Sequence, residues 1–439
     1  MFLPLSKRLL VLAVISITAG CSQQSALPAG TDTGASPQLP EPEMSLVPTV
    51  NPAKAIGWSE GRLPLPAEGL SVQVYAQGLD HPRWLYELPN GDVLVAESNA
   101  PADSGGFSGL KGWVAGLIMK RAGAATSSAD RITLLRDSDN DGVADFQTVF
   151  LDQLHSPFGM VLVGNELYVA NTDALMRFPY RQGQTEITVE GSKVTDLPAG
   201  ELNHHWTKNV IASQDGTRLY VTVGSNSNVG ENGLDNEVDR AAVLEVNPQT
   251  GEYRVFASGL RNPVGLAWQP QSGELWTTVN ERDELGDLLV PDYMTVVSDG
   301  DFYGWPFSYF GDNPDPRVQP PRPDLAATAL VPDYALGAHT ASLGLAFYNH
   351  DQLPQYRNGA LIGQHGSWNR RDRSGYKVVH VPFNDGEPVD QPEDVLSGFL
   401  TDDGEALGRP VGVIVDQSGA ILVADDVGNI IWRVAAQQQ

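Results

Sequence analysis

Beyond about residue 65 the apolar residues follow no helical period. They alternate with polar ones, the period of a strand with one buried face. The alternation comes in a repeated unit: a polar or proline-rich lead-in, an apolar run, a turn with Gly, Asn or Asp, and a second apolar run. Six copies recur: HPRWLYELPNGDVLVAE from His81, HSPFGMVLVGNELYVAN from His155, HHWTKNVIASQDGTRLYVTVG from His204, RNPVGLAWQPQSGELWTTVN from Arg261, HTASLGLAFYNHDQLPQYRNGALIGQHG from His339 and RPVGVIVDQSGAILVADD from Arg409. A third strand-like run follows several of them, near Arg131, Ala241, Tyr376 and Asn429. The copies are spaced by roughly 50 to 80 residues, room for a four-stranded blade with insertions. The pattern predicts an all-β chain folded as a six-bladed β-propeller. A pair of β-sandwiches is the competing architecture, but sandwiches do not repeat a hairpin in this phase.

The phase carries chemical information. In a propeller the first strand of each blade starts near one mouth of the central channel, so side chains just before it converge on one funnel. Here those positions hold His81 or Arg83, His155, His204 or His205, Arg261 with Asn262, His339, and Arg409. Five of the eight histidines share this phase. One such histidine alone reads as a structural residue. A ring of His and Arg from different blades predicts a cationic funnel for an anionic ligand, with at least one His able to move a proton.

Composition sharpens the picture. The 439 residues carry 28 basic and 54 acidic groups, a net charge of −26. An acidic surface repels phosphate backbones, which argues against nucleic acid as a partner. The single cysteine excludes a disulfide framework and Cys-based zinc, haem c or iron–sulfur sites. It is Cys21, and it follows Lys7, Arg8, the apolar run Leu9 to Thr18, and Ala19-Gly20. That run is too short to span a bilayer as a helix. The arrangement resembles a bacterial lipoprotein signal, with Thr18 where such signals usually carry Leu; an ordinary secretory signal with a coincidental Cys is the alternative. The expected organisation is a signal peptide over 1–20, a lipid-anchored Pro/Ser-rich flexible tether over 21–56, and a propeller catalytic domain over 57–439. Ser22 after the cysteine fits a periplasm-facing protein of the outer membrane, held to the membrane by its lipid anchor only.

Six motifs give a more specific resemblance: LNHHWTKNVIAS at 202–213, GLRNPVGLAW at 259–268, NERDELGD at 280–287, FYGWP at 302–306, HGSWNRRDRSGYKV at 365–378 and GRPVGVIVDQSG at 408–419. In this order they resemble the glucose/sorbosone dehydrogenase family, soluble propeller enzymes that use pyrroloquinoline quinone (PQQ). The wording is nearer the sorbosone branch, and the resemblance covers about residues 65 to 435. It implies PQQ and Ca²⁺ as cofactors, hydride transfer from a sugar or related aldehyde or hydroxyl, and an external electron acceptor such as a quinone or cytochrome. It also assigns residues. His204 is the expected base, with His205 the adjacent alternative, since successive residues of an extended chain point opposite ways. Arg261 and Asn262 match a pair that lies against the quinone, where a guanidinium stabilises developing negative charge. Arg409 matches a carboxylate-binding arginine. The sugar-oxidising branch has a second Arg two residues on, where this chain has Val411, and a fifth-blade Lys for which Arg370 is the substitute, with Arg371 and His365 behind it. The cofactor calcium maps to the loop holding Asn280, Glu281 and Asp283, whose hard oxygens suit that ion; a salt-bridge cluster is the alternative. FYGWP reads as a packing and turn feature.

A second calcium loop is expected at Asp137, Asp139, Asp141 and Asp145, with Gly142 at the sharp turn. Thr148 stands where an EF-hand has Glu, so the reading is a stand-alone structural loop, with an Asx-rich turn as the alternative. Two other functions compete: a calcium-dependent lactonase-type propeller hydrolase, which uses channel carboxylates, and a non-catalytic binding propeller. Substrate specificity is expected in the insertions 105–128 and 306–337.

Overall fold

A computed structural model of the chain describes residues 28, 30–44, 49–101, 121, 123 and 126–437. The expected signal and Cys21 lie outside these residues, as does most of the 105–128 insertion. Six antiparallel sheets account for the body; from the axis outward the first four strands of blades one to five follow chain order, and in the sixth blade three strands do. Their innermost strands are Pro82–Glu87, Met160–Val163, Val210–Ala212, Pro263–Trp268, Ser342–Phe347 and Pro410–Val415. Each packs against the next around the axis, and the last returns to the first. The protein is a six-bladed β-propeller, as the repeat predicts. Closure comes from the N-terminal side. Leu70–Gln77 is the outermost strand of the sixth blade and pairs antiparallel with Ile430–Ala436.

Two features bring the blades together at the axis. Glycines in the inner strands allow neighbours to approach closely: a Cβ on Gly344 would lie 2.3 Å from the Val411 carbonyl oxygen, and one on Gly412 would lie 2.7 Å from that of Arg83. Below the mouth, Trp84, Met160, Val264, Leu343 and Val411 come from five different inner strands. They join Phe158 and Trp206 in one buried apolar cluster. The cluster plugs the channel, so the funnel has a floor.

The segment expected to be a flexible tether is docked at several described points. Thr33–Gly34 extends the fourth blade by pairing with Leu336 and Ala335. Ala53 is fully buried, and Ala55 bridges to Ala406. A Pro/Ser-rich segment needs no apolar face for this, because its backbone groups can pair with an exposed sheet edge. Packing therefore begins well before Gly57.

Replacing Gly344 by Ala forces backbone to move at the ring's inner contact. The expected cost is about 1–3 kcal/mol, read as a lower urea midpoint. An unchanged midpoint would show that the inner strands are not in close contact.

Candidate active site in the propeller funnel

Two positions in each blade reach the mouth: the lead-in to the first strand, and the residue or two that end the second strand. The second set comprises Ser98, Asn171, Ser225, Asn280, His365 and Asp426. Two lead-in histidines, His81 (φ 55°) and His339 (φ 60°), take the left-handed backbone conformation. For a non-glycine residue this costs about 1–3 kcal/mol, and such strain concentrates at functional sites.

Asp426 ties blades one, five and six together. Its Oδ2 lies 2.5 Å from Arg83 Nη1, 2.8 Å from His365 Nε2 and 3.5 Å from His81 Nε2. Burial would raise the carboxyl pKa, but the neighbouring His365, His81 and Arg83 outweigh it and hold Asp426 well below the usual range. Burial pushes His365 down to about 4 despite Asp426, so the ring is neutral at pH 7. Arg83 also lies over the Trp206 ring, 5.7 Å from its centroid.

Arg261 organises the opposite side. Its side chain is buried, and all three guanidinium nitrogens have partners. Nη1 donates to the carbonyls of Asn280 (3.0 Å) and Glu281 (2.6 Å). Nη2 donates to Asn228 Oδ1 (2.8 Å) and Asp283 Oδ2 (3.1 Å), and Nε to the Asn228 carbonyl (3.3 Å). Two expectations change here. Arg261 is a buried scaffold for the loops rather than a free cation facing a ligand. In the loop of Asn280, Glu281 and Asp283, expected to hold calcium, two backbone carbonyls and one Asp283 oxygen face the guanidinium, the geometry of the salt-bridge alternative. Glu281 turns its carboxylate to the Arg282 amide and, buried, is raised to about 7. The other Asp283 oxygen accepts from Asn369 Nδ2 at 2.6 Å and lies 3.6 Å from His339 Nδ1.

His204 and His205 share a loop clamped by two buried basic side chains. Arg240 donates to the Ala199 carbonyl (2.8 Å), the Leu202 carbonyl (3.3 Å) and Asn203 Oδ1 (3.0 Å). Lys208, fully buried, reaches the carbonyls of His205 and Trp206. The two imidazoles meet edge to face at 4.8 Å. His205 is tied at Nδ1 to the Ser225 carbonyl (2.9 Å) and Oγ (3.0 Å). His204 is exposed to solvent yet crowded on most sides, as a side chain in a concave surface is. Crowding and the Arg261 charge lower its pKa, and the same causes lower His205 further.

Among these arginines Arg409 is distinctive. It is buried, and its guanidinium lies 5.1 Å from the centroid of the Tyr376 ring. Its one side-chain hydrogen bond is long, 3.4 Å from Nη2 to the Ala53 carbonyl. Among the described residues no carboxylate pairs with it, and its Nε is buried without a partner, as are Asn262 Oδ1, Asn369 Oδ1, Asp426 Oδ1 and Arg83 Nε. The His204–His205 loop comes close to Asn262: a Cβ on Gly224 would lie 2.4 Å from Asn262 Oδ1 and from His205 Cβ. The open donors, Arg409 Nε and Arg83 Nε, suit an anionic, oxygen-rich ligand such as PQQ, whereas the open oxygens of Asn262, Asn369 and Asp426 call for a donor. Arg370 stands at the rim, 3.1 Å from the Ala338 carbonyl and 3.6 Å from Asp32. Arg371 pairs with Asp287 and is exposed. His155, also exposed, pairs with Asp173 at 2.9 Å.

The Asp137 loop lies between the third and fourth strands of blade one, at the end of the barrel opposite the mouth. Carboxylate oxygens of Asp137, Asp139 and Asp141 lie within 4.8 Å of one another. Asp145 instead accepts the Ser138 amide at 3.2 Å.

Sequence reasoning missed Asp426, Ser225, Asn228 and Arg240. Asp426 and Ser225 had a usable signal, since they end the second run of their repeats as His365 does. Asn228 and Arg240 lie in a blade-three loop with no repeat signature.

A propeller with a polar funnel above an apolar floor is the class that fold and site define. Residues 164–368 match the family model described as Glucose / Sorbosone dehydrogenase, and residues 325–437 match a TrAA12-like model. Residues 164–368, a little under half of the chain, are thus similar to the glucose/sorbosone dehydrogenase family. It is 25% identical to the aldose sugar dehydrogenase YliI of Escherichia coli, over 41% of this chain and 52% of that protein. It is 24% identical to a PQQ-dependent pyranose dehydrogenase of Coprinopsis cinerea, over 84% of this chain and 54% of that protein. The matches thus span about half the length of these two relatives. The holo PQQ domain of the Coprinopsis enzyme shares the fold, with a TM-score of 0.67 and 19% identity over 86% of this chain and 98% of that domain.

The crowding and charge around His204 predict a ring that titrates below 6.5, neutral at pH 7 and able to accept a proton. Ring-proton NMR across pH 4–8 would measure it. A midpoint above 6.5 would contradict the electrostatics described for the funnel.

Proposed function

We propose that the chain is a sugar dehydrogenase that binds PQQ in the funnel, oxidises a sugar or related aldehyde or hydroxyl, and passes electrons to an external acceptor. The observation that supports this most is Arg409, a buried cation without a carboxylate partner at the same mouth as an exposed His204 of lowered pKa. PQQ, when bound, supplies an electrophilic ortho-quinone that accepts hydride. Arg409 would hold one of its carboxylates, and the open amide oxygens of Asn262 and Asn369 could accept from a donor on the cofactor or substrate. His204 takes the substrate hydroxyl proton at a ring nitrogen. Arg261 acts on that step through its charge, which favours the neutral imidazole.

The funnel carboxylates Asp283 and Asp426 both face cations or histidines, which weighs against the lactonase-type alternative. Anchoring through Cys21 at the periplasmic face of the outer membrane belongs to the same reading, as does an acceptor such as a quinone or cytochrome. Calcium belongs to it as a structural ion at Asp137, Asp139 and Asp141, where the carboxylates are grouped.

Titrating PQQ into the protein by calorimetry, then following dye reduction with a panel of aldoses and aldehydes, tests the proposal. Absence of binding would reject it. His204→Ala is expected to keep PQQ affinity and lose roughly 100-fold or more in turnover; full turnover would move the base elsewhere. For the ion, Ca²⁺ at a hundredfold excess over its Kd is expected to stabilise folding by about 2.7 kcal/mol, and Asp139→Asn to remove most of that effect. An identical response from the variant would exclude this loop.

A further inference from the structure

The funnel wall is not built by the six blades alone. Residues 49–56, outside every blade, bridge the two loops that carry the funnel's outer arginines. Asn51 is the anchor on the blade-five side. Its amide nitrogen donates to the Trp368 carbonyl at 2.6 Å. Its side-chain Nδ2 donates to the carbonyls of Arg371 (2.9 Å) and Arg370 (3.3 Å), and its Oδ1 accepts from Arg373 Nη2 at 2.9 Å. One asparagine thus uses both ends of its amide on the loop that presents Asn369 and Arg370. On the blade-six side, the Ala53 carbonyl receives Arg409 Nη2. The carbonyl of Lys54 and the amide of Ile56 pair with Ala406 at 2.8 Å each, three residues before Arg409. The segment therefore seats the cation that lacks a carboxylate partner and pins the loop facing it.

We propose that this segment is a functional part of the ligand site, with Asn51 as a positioning residue that sets the separation of the Arg370 loop and Arg409. The proposal rests on the PQQ reading, and its consequence differs from a merely structural one. Loosening the segment should weaken anion capture beyond any effect on folding, since a buried cation binds an anion tightly only when held in place.

The test compares wild type, Asn51→Ala and a control, Trp268→Phe. The control removes one hydrogen bond to the Ala212 carbonyl at the far end of an inner strand. PQQ affinity is measured by calorimetry and thermal stability by calorimetric scanning. Asn51→Ala deletes three side-chain hydrogen bonds, and the expected result is PQQ binding weakened roughly tenfold with the control at wild-type affinity. Wild-type protein that fails to bind PQQ overturns the functional reading and this proposal together. Wild-type binding matched by Asn51→Ala overturns this proposal alone, as does equal weakening in both variants.

Discussion

Ring closure is the constraint on which everything else depends. Leu70–Gln77 must travel from the start of the body to pair with Ile430–Ala436, and only then do the six inner strands face one axis. Closure leaves no sheet edge to pair with another chain along that seam. It also aligns six lead-ins and six second-strand ends at one mouth. Glycines such as Gly344 and Gly412 let the strands come near enough for this, and the apolar plug beneath them gives the polar groups above a floor to rest on.

Charge at the mouth is then a matter of who is paired. The chain is strongly acidic overall, yet buried arginines collect at the funnel. Most are spent on the protein itself: Arg83 on Asp426, Arg261 on Asp283 and three carbonyls, Arg240 on the His204–His205 loop. Burying such charges is tolerable only because each is matched. Arg409 departs from the rule, and an unmatched buried cation is costly unless a ligand completes it. The same low-dielectric surroundings depress His204 and His205, so the mouth combines an anion-seeking arginine with neutral imidazoles.

The sequence made the blades readable because their signals are local. Alternation, hairpin turns and lead-ins all fall within some twenty residues, and His204 and Arg409 could be placed at the mouth by phase alone. Direction was not readable. The loop of Asn280, Glu281 and Asp283 offers the oxygens a calcium ion needs, but a sequence does not say which way carbonyls point, and these point at Arg261. Its other partner, Asn228, comes from a separate loop. The docking of residues 30–44 and 49–56 was hidden for a related reason. It relies on backbone pairing and a few polar pegs such as Asn51, so a stretch with the composition of a tether can still be wall.

The central claim is that the mouth is an anion site organised by Arg409. A crystal structure of the protein with PQQ tests it most directly. The account predicts density at the mouth with a carboxylate on the Arg409 guanidinium and within reach of Asn262. PQQ bound on any other face, or at the mouth with the Arg409 guanidinium out of contact with it, would contradict it.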